Sequence, residues 1–414
     1  MFLLVACGTL QAGGDDPPGI EMSRSSVAFE WSAPLADLAA LVEADTRLAI
    51  DLLRQSWTSE NLIMSPFSIA TALGMLGPGA RGETRSEMAT VLHETLPDDR
   101  LHRARATLLV ALAPEQPEGS GDDPPPFTLR AANQVWAQRG YAILESYLDE
   151  LSRSYDAGVA LLDFMANPED SRVSINDAIA EQTEQRIEDL IPEGVITDLT
   201  RLILTNAIYA NRLNEFDPER TSDGPFHTQL TEVVVPMMTT TASMRYYQGD
   251  GYTAAWLSYV GDADMMVLLP DGDIESLLGT LTVEELAAAN EGGSVFRVDL
   301  TMPRFEFRSS ITLAEALKAL GMVAAFVPPS GESGADLTGI VEARELYVQN
   351  VVHQGFVAVD EKGTEAAAAT AVIAGATSMP QLAALKLDRP FIFLIQHRST
   401  AELLFAGMVA NPSG

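Results

Sequence analysis

The chain has 414 residues, 47% of them hydrophobic and 20% charged, which is enough apolar material for one large globular body. Its formal net charge of −32, with only three lysines (Lys318, Lys362 and Lys386), excludes the clustered bases that nucleic acid or a polyanionic glycan cofactor would need. A single cysteine excludes an internal disulfide framework, and past the leader no segment approaches the roughly 18–20 unbroken apolar residues of a membrane span.

Leu4-Val5-Ala6-Cys7 resembles a lipoprotein signal box, in which the cysteine is lipidated and becomes the mature N-terminus. It departs from the usual pattern because only six residues, none of them basic, precede Cys7. Two readings stand: a lipid anchor on Cys7, or an unlipidated leader remnant. Either makes the protein exported, extracellular or lipid-anchored at a bacterial envelope. Gly8 to Pro34 is rich in Gly, Asp, Ser and Pro, the composition of a flexible tether. The expected division is therefore a leader and tether over 1–34 and a single domain over 35–414.

From Asp37 to Trp57, apolar Leu38, Leu41, Leu48 and Leu52 recur at helical spacing. Ser65-Pro66 then supplies an N-cap and a first-turn proline for a helix running to Leu76. Gly82 to Leu92 predicts another short helix, and the Pro- and Asp-rich stretch Pro114 to Pro126 predicts an exposed loop. Further helices are expected over Ala142–Tyr155, Val173–Leu190, Thr282–Ala289 and Ile311–Leu320. Strand-like runs cover Thr128–Ala137, Arg201–Ala210, Met265–Leu269, Val295–Met302, Glu345–Val359 and Phe391–Ile395. Helices dominate early and strands late, which predicts an α+β fold with large antiparallel sheets rather than a βαβ repeat.

Catalytic constellations are missing. The chain has no Gly-x-Ser-x-Gly elbow, phosphate loop, His-Glu-x-x-His or Ser-x-x-Lys. Its five histidines (His93, His102, His227, His353 and His397) have no zinc-ligand spacing, so neither a metal nor a cofactor is expected.

Asp360 to Pro380 stands apart: a run of small residues between two strong strands, with Gly363 near one end and Pro380 at the other. Composition alone reads as a flexible connection or an Ala-rich helix. Parity points elsewhere. As a strand, the segment would put Thr364, Ala366, Ala368, Thr370, Val372, Ala374 and Ala376 on one face, all small or apolar. Glu365 falls on the opposite face, so the loop could enter a sheet without stranding an ion in the core, and in one register only.

Asp360-Glu361-Lys362-Gly363-Thr364-Glu365-Ala366-Ala367-Ala368-Ala369-Thr370 resembles the reactive-loop hinge of inhibitory serpins. Other stretches resemble serpin motifs in family order. They include Asn61–Ile69, Leu204–Tyr209, Val235–Met238, Met302–Phe305, Ala335–Ile340, Val352–Gln354, Arg389–Phe393 and Leu404–Pro412. The resemblance, spanning most of Asp37 to Pro412, implies three β-sheets with about nine helices and an exposed reactive-centre loop over about 361–388.

The implied activity is not enzymatic: a suicide-type inhibitor of serine endopeptidases, with cysteine endopeptidases kept open. The alternative is a non-inhibitory serpin-fold protein, either a protease substrate or a ligand carrier. The family's spacing from the hinge glycine puts the reactive bond at Thr377–Ser378, with Ala376 and Met379 as alternatives. Small uncharged bait residues suit elastase-like or subtilisin-like pockets, and the inhibitor is expected to act as a monomer. Ser65, Ser68, Asn206 and His353 match the family's shutter beneath the strands that must part. Two departures from the family pattern are the lack of a tryptophan around Asn211–Asn214 and Ala178 in place of an aromatic residue.

Overall fold

The computed structural model describes residues 20–113, 129–183, 185, 187–210, 216–259, 261–361 and 381–413; the side chains of 129–132 and 206–210 lie outside that description. Along the chain come β1 (Glu21–Ser23), α1 (Leu35–Ser56), β2 (Leu62–Met64), α2 (Pro66–Leu76), α3 (Gly82–Val91), α4 (Asp98–Ala111) and β3 (Leu129–Gln138). Next are α5 (Glu145–Tyr155), β4 (Val159–Leu162), α6 (Pro168–Gln182), β5 (Leu202–Ala210), β6 (Ser222–His227), β7 (Glu232–Gln248), β8 (Tyr252–Ser258) and β9 (Ala263–Pro270). The remainder are α7 (Ile274–Thr280), α8 (Val283–Gly292), β10 (Ser294–Pro303), β11 (Phe305–Thr312), α9 (Ala314–Leu320), β12 (Asn350–Val359), β13 (Leu382–Lys386), β14 (Phe391–His397) and β15 (Leu403–Val409).

One sheet has six strands in the order β1-β4-β3-β5-β12-β11. The others are fused through β7. Its first part pairs β6 and, from Met237 to Tyr246, β10, which in turn carries β13; its last residues, Tyr246 to Gln248, pair β8 and lead on to β9-β14-β15-β2. Nine α-helices are thus present among the described residues, in the α+β fold expected, and the sheets that the resemblance counts as three appear as a six-stranded sheet and a nine-stranded one continuous through β7.

A continuous apolar core joins α1, α2, α4 and α5 to the inner face of the six-stranded sheet and to β14 and β15. A second cluster lies on that sheet's other face, where α6 brings Ile175, Ala178 and Ile179 against Trp136, Ile203 and Val352. Ala178, where the family pattern has an aromatic residue, is buried in this contact.

Several boundaries differ from expectation for local reasons. The predicted strand Glu345–Val359 begins only at Asn350, because residues before it bond elsewhere: Val348 N–H donates to Ala325 O over 2.8 Å. The predicted helix Val173–Leu190 is displaced toward the N-terminus as α6, which starts on Pro168 with Glu169 and Asp170 in its first turn. It stops at Thr183, whose hydroxyl accepts the Ile187 N–H over 3.2 Å. Ile311 and Thr312, expected in a helix, still belong to β11 and pair with His353 and Val352.

Ile20 to Pro34, the end of the expected tether, lies against the body. Ile20 is buried, β1 pairs β4, Ser152 Oγ donates to Val27 O over 2.6 Å, and Ala33 N–H donates to Thr107 Oγ1 over 2.8 Å. The predicted loop Pro114–Pro126 and the leader through Cys7 lie outside the described residues.

Candidate functional site

At the centre of the six-stranded sheet, β5 and β12 run parallel, in register from Asn350↔Ile203 to Phe356↔Tyr209. Both have antiparallel neighbours on their far sides, β3 and β11. Among the described residues, Val357 to Val359 pair with β11 alone, the β5–β12 register having ended at Phe356↔Tyr209. The described parallel ladder therefore stops short of the point where the chain leaves β12.

One row of residues crosses this junction: Asn133 on β3, Asn206 on β5, His353 on β12 and Ile311 on β11. Beneath it sits the N-terminus of α2. Ser65 caps that helix, its Oγ accepting the Ser68 N–H over 3.2 Å, while Pro66 takes the first helical position. The Ser65 N–H donates to His353 Nε2 over 3.0 Å, and Ser68 Oγ–H donates to Asn133 Oδ1 over 2.7 Å. All four residues are shut away from water. The helix end is thereby bonded to a strand on each side of β5, and it bolts the junction from below. Hydroxyl and amide groups of this kind can exchange partners without leaving a charge behind.

His353 accepts in this geometry, so its imidazole is neutral. Burial pushes its pKa down to about 3 from the ordinary 6.5, and a charge here is excluded across the physiological range. On the sheet's other face Trp136 Nε1–H donates to Thr205 Oγ1 over 2.8 Å, tying β3 to β5 so that they behave as one leaf. The other leaf is β11–β12, joined by Gln354 Nε2–H to Ser310 Oγ at 2.6 Å and by the Arg308 guanidinium over the Phe356 ring.

Just past β12 Glu361, only 6% exposed, accepts the Thr221 hydroxyl over 2.5 Å and faces the Arg304 guanidinium at 3.5 Å. Burial alone would raise its pKa; the Thr221 hydroxyl, its own backbone N–H and Arg304 together hold it below the usual carboxylate range. The start of the expected hinge is thus pinned as an ion to the loop before β6 and to the β10–β11 corner.

Of the residues singled out in the sequence, Ser65, Ser68 and His353 come together in one cluster, and Asn206 shares their row through its main chain. Glu361 is the described member of the hinge. Gly363, Thr364, Glu365, Ala366, Ala367, Ala368, Ala369 and Thr370 lie outside the described residues, as do Ala376, Thr377, Ser378, Met379, Asn211–Asn214 and Cys7. Sequence reading missed Asn133. Strand parity could have found it, since 133 shares a face with the fully buried Val135 and Ala137, where an amide requires a partner.

Residues 43–412 match the family model described as Serpin (serine protease inhibitor). The chain is similar to an uncharacterized serpin-like protein of Thermococcus kodakarensis, 37% identical over 380 residues, covering 90% of this chain and 86% of that one. It is also similar to the leukocyte elastase inhibitor of Bos taurus, 34% identical over 395 residues, covering 90% and 99%. Among solved structures, the native state of the thermophilic serpin tengpin superposes with a TM-score of 0.80 at 23% identity, covering 94% of this chain and 97% of that one. Maspin gives a TM-score of 0.79 at 22% identity, covering 91% and 100%. These last two likenesses concern the fold alone.

Proposed function

The chain belongs to the serpin family, and from that premise we propose that it is an inhibitory member, a single-use trap for an elastase-like or subtilisin-like serine endopeptidase. The observation that carries this reading is the parallel β5–β12 junction, whose described ladder ends before β12 does. A segment folding back beside β12 runs antiparallel to it, and so antiparallel to β5 as well. Inserted there, it replaces one parallel ladder with two antiparallel ones, which are slightly more stable per residue. The inward set of that segment is Thr364, Ala366, Ala368, Thr370, Val372, Ala374 and Ala376, which suits a tight slot.

The chemistry belongs to the protease. Its serine Oγ attacks the carbonyl carbon of Thr377, the bond to the Ser378 nitrogen breaks, and that amine leaves with a proton. An ester links the two proteins. Release of the cut end lets the loop enter the sheet, and the ester is carried away before water reaches it. The intact form owes its lifetime to a barrier, set in part by the Ser65–His353 and Ser68–Asn133 bonds. Export, with Cys7 as a lipid attachment point, and a monomeric state belong to the same reading.

Incubation with elastase-, subtilisin-, trypsin- and chymotrypsin-like enzymes, followed by denaturing gel and mass analysis, tests it. The expected product is a denaturant-stable covalent complex with a cut near Thr377. Loop cleavage without a complex, and without a large rise in thermal stability, would assign the chain to the substrate or carrier class instead.

A further inference from the structure

Where α1, α4 and the start of β15 meet, the core holds three ionisable side chains. Arg105 of α4 and Asp45 of α1 form a two-toothed ion pair, with only 5% and 3% of them exposed. Glu402, the residue before β15, is 0% exposed, and neither of its carboxyl oxygens meets an N–H or O–H donor among the described residues. Its main chain is fixed on both sides. The N–H donates to Thr400 Oγ1 over 3.3 Å, and the carbonyl accepts the His397 N–H over 2.8 Å. The group that its side chain faces is the Asp45 carboxylate.

Charge counting decides the state of this cluster. It holds one guanidinium and two acids, and Asp45 already takes both arms of the guanidinium. An ionised Glu402 would set a second carboxylate against Asp45 in a site sealed from water. A protonated Glu402 instead donates its O–H to Asp45, which has lone pairs to spare. The cations on neighbouring elements are engaged elsewhere. Arg85 of α3 pairs with Glu94 at 2.6 Å and with Asp98, and Arg153 of α5 pairs with Glu150. The His102 imidazole of α4 is bonded to the Tyr155 hydroxyl of α5 over 2.8 Å, and burial pushes its pKa down. Burial first, and the Asp45 charge second, push the Glu402 carboxyl well above the usual carboxylate range.

We propose that Asp45 and Glu402 share one proton, and that this proton is an alkali-released latch tying α1, α4 and the start of β15 together. When base removes it, two carboxylates repel each other across the joint and Arg105 can answer only one. The latch acts on the native fold whether or not the protein traps a protease. The folded chain keeps a proton that the unfolded chain gives up above about 4.5. Stability from this group is therefore complete below that pH and drains away as the pH rises, until the folded carboxyl itself lets go. His353 works in the opposite sense, so each variant is read against wild type at the same pH.

The test compares wild type, Glu402→Gln and Asp45→Asn by thermal midpoint from about pH 4.5 to about pH 9. Glutamine supplies Asp45 with an N–H that cannot ionise, and so stands for the protonated acid. The expected midpoint of Glu402→Gln gains on wild type by roughly 1–2 °C for each pH unit of the rise. Asp45→Asn leaves Glu402 as the acid that faces Arg105, and its profile should follow that of Glu402→Gln. At about pH 9, hydrogen exchange in α1 and α4 should be faster in wild type than in Glu402→Gln. At neutral pH the infrared spectrum of wild type should carry the carbonyl band of an un-ionised carboxylic acid that Glu402→Gln lacks. Parallel midpoint profiles for wild type and Glu402→Gln, or no difference in that band, would overturn the proposal.

Discussion

Ser65 and His353 are joined by a backbone N–H that donates to an imidazole nitrogen over 3.0 Å, with both residues sealed from water. The bond exists only while the imidazole is neutral. Protonation would set a cation against that N–H, in a site where burial already disfavours charge.

Stability should therefore fall on the acid side. The folded state refuses a proton that the unfolded chain accepts below its ordinary value of 6.5. The contribution is complete above that pH and drains away as the pH drops toward about 3. Its slope reaches at most about 1.4 kcal/mol per pH unit. His353→Gln should cost about 1–3 kcal/mol at neutral pH, because the Ser65 N–H loses a well-placed acceptor. Between about pH 6.5 and pH 4.5 its thermal midpoint should decline less steeply than that of wild type. Parallel profiles for the two proteins would show that His353 is not the titrating group.

The three partners just past β12 should not be equal. Glu361→Ala removes a buried carboxylate and strands the Thr221 hydroxyl, for an expected loss of about 1–3 kcal/mol. Arg304 is half exposed at 50%, so Arg304→Ala should cost under about 1 kcal/mol. Thermal midpoints should rank Glu361→Ala well below Arg304→Ala. Hydrogen exchange at Val357–Val359, which pair with β11, should quicken in the first variant. The reverse ranking would mean that the ion pair, rather than the hydroxyl bond, holds the hinge.

Parity in the loop gives the sharpest test of insertion. Ala368→Glu would bury an unpaired carboxylate in the sheet, a cost of several kcal/mol. That variant should be cut at the wild-type rate yet form no covalent complex. Ala369→Glu, on the opposite face, should keep the complex. Loss of trapping in both, or in neither, is incompatible with a strand that enters in the register described.

Local chemistry was legible in the sequence, and pairing across the chain was not. The α2 start could be read because Ser65 and Pro66 act on the residues beside them. By contrast, α4 escaped notice because its inward face includes Arg105, which a hydrophobic pattern counts as solvent-facing. In the fold Arg105 meets Asp45 of α1 through two bonds of 2.5 and 2.8 Å, with both side chains buried. The long strand β7 was hidden by Pro236 and the Thr239–Thr241 run, which break its alternation. Asn133 needed a partner, but nothing in the chain around it names Ser68, 65 residues away. The cluster as a whole was reached through resemblance to a family, and the hinge through parity; the slot between β5 and β12 is a long-range fact that only the fold supplies.

Gly355 sets how closely the junction lies on the strand beneath it. A Cβ at this position would stand 3.0 Å from the Ile63 carbonyl oxygen, so β12 lies almost backbone to backbone on β2. Ile63 also gives its N–H to Ser309 Oγ of β11 over 3.0 Å, and the Ser65 N–H reaches β12 two residues later. Two main-chain donors therefore rivet β11 and β12 to the segment beneath, and on the β3 side Ser68 gives that segment's hydroxyl to Asn133. If the sheet is a pair of doors, the jamb of one is built around a residue with no side chain at all.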